Sequence, residues 1–444
     1  MPRLAHLLPL LWLTLARAAD SPPPTYTRDI APLMFAHCAT CHRPGQAAPF
    51  SLLDYRQTAK RAEQLVEVTH ERVMPPWIPQ PGAQPKFVGE RWLSDRELAL
   101  LQRWLDAGRP EGDPADLPPA PVFAQGWRFG QPDLVLKMPA PFTVRAEGAD
   151  ILQNFVLPVG IAEDKLVATV EFHPGNARVV HHAVLFLDDK KQGRKLDAAT
   201  PEPGYENFGG PGFLPSGALG GWSVGNTARA LPNDMGRYLK KGSDLVVQIH
   251  YHPTGKVETD QSEIGLYFVK RPVAEVLREP AKLVGSIWLA NYAMDIPAGA
   301  ADYRRTTSYT LPRDVIMVGV VPHMHLLGKK MLVTATKPDG TRQTLIDVQR
   351  WNYNWQDEYY YERPFPLPKG TRLEITAAFD NSAANAANPS TPPRRVTWGD
   401  GTLNEMLYCF FLLTAEKTDD LIATIFDNLA HDAKQPRAKT ADAP

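Results

Sequence analysis

Val321-Pro322-His323-Met324-His325-Leu326-Leu327-Gly328-Lys329 sets two histidines two residues apart in an apolar run that a glycine closes. In a strand, residues two apart point to the same face, so His323 and His325 can present two imidazoles side by side. His250-Tyr251-His252 has the same spacing. A third pair, His181-His182, is adjacent, and a regular strand would turn its rings to opposite faces. Joint ligation there requires a local distortion or a mixture of ring nitrogens.

The texture around these pairs is that of a β protein. Beyond about Val122 the chain runs in short stretches of Val, Ile, Leu, Thr, Tyr and Phe, broken by Pro, Gly, Asn and Asp. Such runs predict strands joined by turns rather than βαβ units. About 300 residues of this texture exceeds one sandwich, so two all-β, jelly-roll-like sandwiches are expected. They would span residues 125–271 and 272–416, divided at Arg271-Pro272 after the strand-like Gly265 to Val269.

Upstream the pattern is helical. Thr58 to Val68 carries apolar residues at helical spacing, Ser94 with Glu97 makes a capping box, and Gly108 before Pro110 makes a stop. Residues 20–112 are therefore expected to form a compact, mostly α domain. The Pro-rich stretch 113–124 reads as a linker, and residues 417–444 as a tail that begins as a helix and ends polar. Arg3, the apolar run Leu7 to Leu15 and Ala16-Arg17-Ala18 read as a signal peptide over residues 1–19. The run is short of the roughly twenty apolar residues of a membrane span, so a periplasmic or secreted chain with no span after cleavage is expected.

Composition narrows the partners. With 48 Lys+Arg against 49 Asp+Glu the net charge is -1, which gives no electrostatic footprint for nucleic acid and leaves small molecules as the natural partners. The 3 cysteines are Cys38, Cys41 and Cys409. Cys38-Ala39-Thr40-Cys41-His42 matches the pattern in which two thiols bond haem covalently and the histidine becomes an axial iron ligand. A redox CxxC or a partial zinc site is the other reading, but no second cysteine pair accompanies it. Candidates for the sixth iron ligand are Met74, in Val73-Met74-Pro75-Pro76, and His37 and His70. The region resembles the small class I bacterial cytochromes c, and that resemblance favours Met74. It also gives the expected fold class: a mostly α cytochrome c domain followed by two β-sandwiches.

Imidazole-rich sites suit copper, zinc, iron or nickel, and a thioether tips the choice towards Cu(I). Met406, after Asn404-Glu405, is such a thioether. Val180-His181-His182-Ala183, Val247-Gln248-Ile249-His250-Tyr251, Val321 to Lys329 and Asn404-Glu405-Met406 together resemble the type II copper, ascorbate-dependent monooxygenases, which include the peptide-amidating and dopamine-hydroxylating enzymes. The resemblance implies one copper on His181, His182 and His250, and a second, catalytic copper on His323, His325 and Met406. It implies a small organic substrate hydroxylated by O2, with ascorbate or another one-electron reductant. The fused haem would relay electrons, from a periplasmic redox partner where one exists. His252 is a neighbour rather than a ligand, and His173 and His431 are read as packed or solvated. The sequence departs from the family where amidating enzymes clamp a substrate carboxylate: Val321, Tyr408 and Phe410 stand there. Rival readings are a haem/copper electron-transfer or copper-handling protein, and a haem peroxidase-like enzyme.

Overall fold

The structure is a computed structural model that describes residues 22–46, 48–123, 126–399 and 401–437. The signal-peptide reading of residues 1–19 and the last residues of the tail lie outside it. Strand makes up 33% and helix 16%.

Two antiparallel pairs of sheets carry the strands. The first pair combines a five-stranded sheet, in the order Tyr205–Glu206, Ile151–Pro158, Asp244–Tyr251, Val180–Asp188 and Gly217–Ser223, with a four-stranded sheet of Leu134–Lys137, Glu263–Phe268, Lys165–His173 and Arg237–Leu239. Their inner faces share one core that includes Phe155, Leu185, Val247, Ile249, Tyr251 and Ile264. Asp244–Tyr251 is central and buried along its whole length, which is why Val, Ile and Leu run through it almost without alternation.

The second pair is built likewise. One sheet orders Gly285–Ala290, Leu407–Thr414, Val315–Met324 and Tyr359–Leu367, and the other Tyr303–Thr310, Arg372–Phe379, Gly328–Thr336 and Arg342–Val348. The helix Thr418–Asp432 lies on the edge strand Gly285–Ala290, where Asn428 bonds both the N–H and the carbonyl of Trp288. Gly285 makes room for it, since a Cβ there would meet Ile425 at 2.7 Å.

The expected mostly α cytochrome c domain over residues 20–112 is corrected. Only short helices occur there, Ala31–His37, Tyr55–Lys60, Ala62–His70 and Asp95–Asp106 after the π turn Tyr26–Ile30, and they do not amount to a cytochrome-like helical domain. The capping box at Ser94 and Glu97 is formed. A local stop and start signal, however, does not decide which core an apolar residue joins. Between the last two helices, five prolines between Pro75 and Pro85 keep the chain out of helix, in a run of bends and turns. That segment leaves the helices and joins the second sandwich. Pro79 bridges to Val348 and Phe87 to Tyr361, and Trp77, Ile78 and Phe87 are buried in the sandwich core. Phe87 stacks on Tyr361 at 4.8 Å, and Trp77 meets Tyr359 edge-on at 5.2 Å. A cavity of about 490 Å³ remains at this seam, lined by Trp77, Trp92, Trp351 and Trp355 with Arg72 and Arg350. Residues 114–116 of the expected linker form a single 3-10 turn. No helix among the described residues is long and apolar enough to cross a membrane.

Candidate metal centre

His181, His182 and His250 converge, and a backbone irregularity is the reason. Val180–Asp188 pairs with Asp244–Tyr251 so that Val180 faces Tyr251 but His182 faces His250, which leaves His181 as an extra, bulged residue. A bulge re-aims a side chain, and here it turns His181 to the face that His182 and His250 already occupy. The three Nδ1 atoms form a triangle with edges of 3.2, 3.4 and 3.3 Å. Metal–imidazole bonds of about 2.0 Å in a tetrahedral set require nitrogens roughly 3.3 Å apart, so the triangle fits a metal ion. Burial and the neighbouring His250 depress the His181 pKa to about 4, and burial drives that of His182 well below the usual range, so both are neutral ligands at neutral pH.

Behind the triangle stands a carboxylate. His250 Nε2 lies 2.8 Å from Asp150 Oδ2, and His252 Nδ1 lies 2.8 Å from Asp150 Oδ1. Burial opposes the charge on Asp150, but the bonds from both histidines outweigh it and hold the pKa down to about 2. An anion on the outer nitrogen fixes the tautomer that leaves Nδ1 free to ligate.

The second cluster uses the opposite ring nitrogens. His323 Nδ1 donates to Gln356 Oε1 at 2.5 Å and His325 Nδ1 donates to the Asn404 carbonyl at 3.1 Å. Both Nε2 atoms are thereby left as acceptors. The rings stand 5.1 Å apart at 89°. Burial pushes both pKa values down, that of His325 to about 3 with His323 adding to the effect. Val315–Met324 pairs with Leu407–Thr414 through His323 with Tyr408 and Met324 with Leu407, so the ladder ends one residue short of both His325 and Met406, where the two segments turn a corner. Glu405 secures the corner. Its buried carboxylate accepts from the N–H groups of His325, Leu327 and Met406.

One loop joins the clusters. The Tyr353 ring stacks on His181 at 5.5 Å and 23°, and meets His325 at 6.0 Å and 83°. The neighbouring Asn354 side chain acts on the His181 ring, opposing the effect of burial. The Ser223 hydroxyl, on the strand beside His182, donates to the Gln356 carbonyl.

Cys38, Cys41 and His42 sit on one turn, with the Cys41 and His42 N–H groups donating to the Cys38 carbonyl at 3.2 and 2.9 Å. Both thiols are free. His42 Nδ1 is 3.3 Å from the Phe50 carbonyl, which fixes the tautomer with Nε2 as the unprotonated nitrogen, the one that iron ligation needs. Met74 lines a small crevice with Arg72, Trp77, Arg91 and Trp92, and the charge of Arg91 acts on Cys41. Of the rival sixth ligands, His37 Nε2 pairs with Glu97 at 3.3 Å, and His70 Nδ1 bonds the Val66 carbonyl while its ring faces solvent. His173 stacks on Trp127 and bonds Glu171, and His431 bonds Gln435.

Asp150, Tyr353, Asn354, Gln356 and Glu405 were not read from the sequence as functional. Glu405 stands inside the quoted Asn404-Glu405-Met406 run, which is the one available signal.

No family model matches the chain, and no curated protein matches it. Loose structural likenesses include the broad bean stain virus, at 8% identity and TM-score 0.24 over 61% of this chain and 91% of that one. The Gx strain of infectious bursal disease virus follows at 11% identity and TM-score 0.19, over 64% and 73%. A two-domain protein of unknown function from Bacteroides fragilis gives 9% identity and TM-score 0.15, over 60% and 85%. Scores of this size do not amount to a shared fold.

Proposed function

We propose that this chain is an exported copper-dependent monooxygenase, similar to the type II copper, ascorbate-dependent enzymes, that hydroxylates an aliphatic C–H bond of a small organic substrate. The observation that carries the reading is the Nδ1 triangle of His181, His182 and His250, set beside a second imidazole pair, His323 and His325, with the backbone N–H groups of His325 and Met406 tied to the same Glu405 carboxyl group. Copper on the two clusters would supply one-electron storage at the three histidines and dioxygen activation at His323, His325 and Met406, with one oxygen atom going to product and the other to water. Cys38, Cys41 and His42, with Met74 as the favoured further ligand, would hold a haem, which would pass on electrons taken from ascorbate, another one-electron reductant or a periplasmic redox partner.

The chain's own residues set the conditions. Asp150 keeps the proton of His250 on Nε2, while Gln356 and Asn404 keep those of His323 and His325 on Nδ1. Substrate choice follows from the wall next to His323. Tyr408 lies 6.4 Å from that ring and stacks on Phe410, and Trp288 and Tyr292 extend the aromatic face. Val321 stands opposite Phe410, and neither side chain can pair with a carboxylate, so an apolar or aromatic substrate suits these two positions better than a glycine-extended peptide.

The deciding experiment incubates the reduced, copper-loaded protein with a metabolite extract under labelled dioxygen and follows the products by mass spectrometry. One labelled oxygen atom in a hydroxylated product is expected. Full copper loading with no label in any compound would return the protein to the electron-transfer or copper-handling reading. Efficient conversion of a glycine-extended peptide would overturn the assignment of the wall.

A further inference from the structure

The segment from Trp351 to Glu358 leaves the second sandwich after Val348 and re-enters it at Tyr359. On the way it touches both histidine clusters and the other two parts of the molecule. The Trp351 indole donates to the His325 carbonyl at 3.0 Å, and Gln356 accepts from His323. Asp357 receives Arg91 from the N-terminal region at 3.2 Å and Arg229 from the first sandwich at 3.1 Å. Glu358 receives the Gly221 N–H at 2.9 Å and Arg237 at 3.1 Å. These ties fix the path of the backbone on either side of Tyr353.

His181 is the residue that most needs such support. As the bulged member of its strand it lacks the regular pairing that orients His182 and His250. Tyr353 covers the flat face of its ring, and the same phenol ring abuts His325 edge-on.

We propose that Tyr353 is a positioning residue supplied by the second sandwich to the metal site of the first, holding His181 in the Nδ1 triangle and transmitting the state of one cluster to the other. The inference rests on the metal-binding reading of the two clusters. It does not depend on oxygenase activity. A supporting group beyond the ligands is commonly worth 10- to 100-fold in metal affinity, and a stacked ring that fixes a ligand's torsion acts in the same way.

The test uses the full chain and copper alone. Cu(II) is titrated into the wild type, Tyr353→Phe and Tyr353→Leu, and the three-histidine signal is read by electron paramagnetic resonance. Tyr353→Phe should keep the wild-type spectrum, while Tyr353→Leu should change it and weaken binding roughly tenfold or more with near-ultraviolet circular dichroism unaltered. His325→Ala should perturb that spectrum in the wild-type background and leave it unmoved in the Tyr353→Leu background. A measurement on the unaltered protein guards against a variant that does not fold. The Tyr353 ring resonance, assigned with Tyr353→Phe, should shift when Cu(I) fills the three-histidine cluster. Equal copper binding by wild type and Tyr353→Leu, or a ring resonance that does not move, overturns the role of Tyr353 and leaves the metal site standing. A wild-type chain that takes up no copper overturns both.

Discussion

The two histidine clusters solve the same problem with opposite chemistry. In the first, three Nδ1 atoms converge and a carboxylate, Asp150, stands behind one ring. In the second, Nε2 atoms face the site, and the partners behind the rings are a neutral amide oxygen and a backbone carbonyl. A carboxylate makes its imidazole a more basic donor, which favours the higher oxidation state of a bound copper. Neutral acceptors and a thioether favour the lower one. On the copper reading, the contrast would give each site a direction in electron flow before any substrate is considered.

Removing a ligand should show the largest effect. On the copper reading, His250→Ala empties the three-histidine site and leaves the other loaded, so metal analysis should find half the wild-type copper. Full copper in that variant would break the comparison at its root. Met406→Ala should abolish product formation while the three-histidine copper stays bound, and unchanged turnover would remove Met406 from the second site. Asp150→Asn should weaken copper at the first cluster by about 10- to 100-fold and spare the second, measured by competition with a chelator. An equal loss at both clusters would mean that the carboxylate acts on the fold and not on its own site. Gln356→Ala should be the mildest. It removes one neutral partner of His323, costs about 1 kcal/mol in a denaturant melt, and leaves the copper count unchanged.

Strand parity made part of this arrangement legible. His323 with His325, and His250 among buried β residues, follow from a repeat of two, because alternate side chains share a face whatever the rest of the chain does. The adjacency of His181 and His182 signalled that a distortion was needed, and the bulge is that distortion, though nothing in Val180-His181-His182-Ala183 says which residue is extra. Asp150 and Gln356 left no signal. Asp150 is 100 residues from His250, and Gln356 is 33 from His323, and each is carried to its partner by a loop whose course only the packed sheets define. The helical pattern before Gly108 misled for a related reason. The repeats around Leu65 and Leu101 do form helices with a local core, but Trp77, Ile78 and Phe87, in the Pro-rich segment between them where no repeat is present, go to a core more than 200 residues further along the chain.

That last feature bears on the order of events during synthesis. Chains fold from the N-terminus as they emerge, and a region whose core is local can finish early. The region carrying Cys38, Cys41 and His42 cannot finish entirely, because Trp77 and Phe87 wait for Tyr359 and Tyr361 to arrive. Until then its aromatic segment is exposed. Any chemistry installed on those cysteines has a natural window before the second sandwich closes. The closing sandwich then buries Trp77, Ile78 and Phe87.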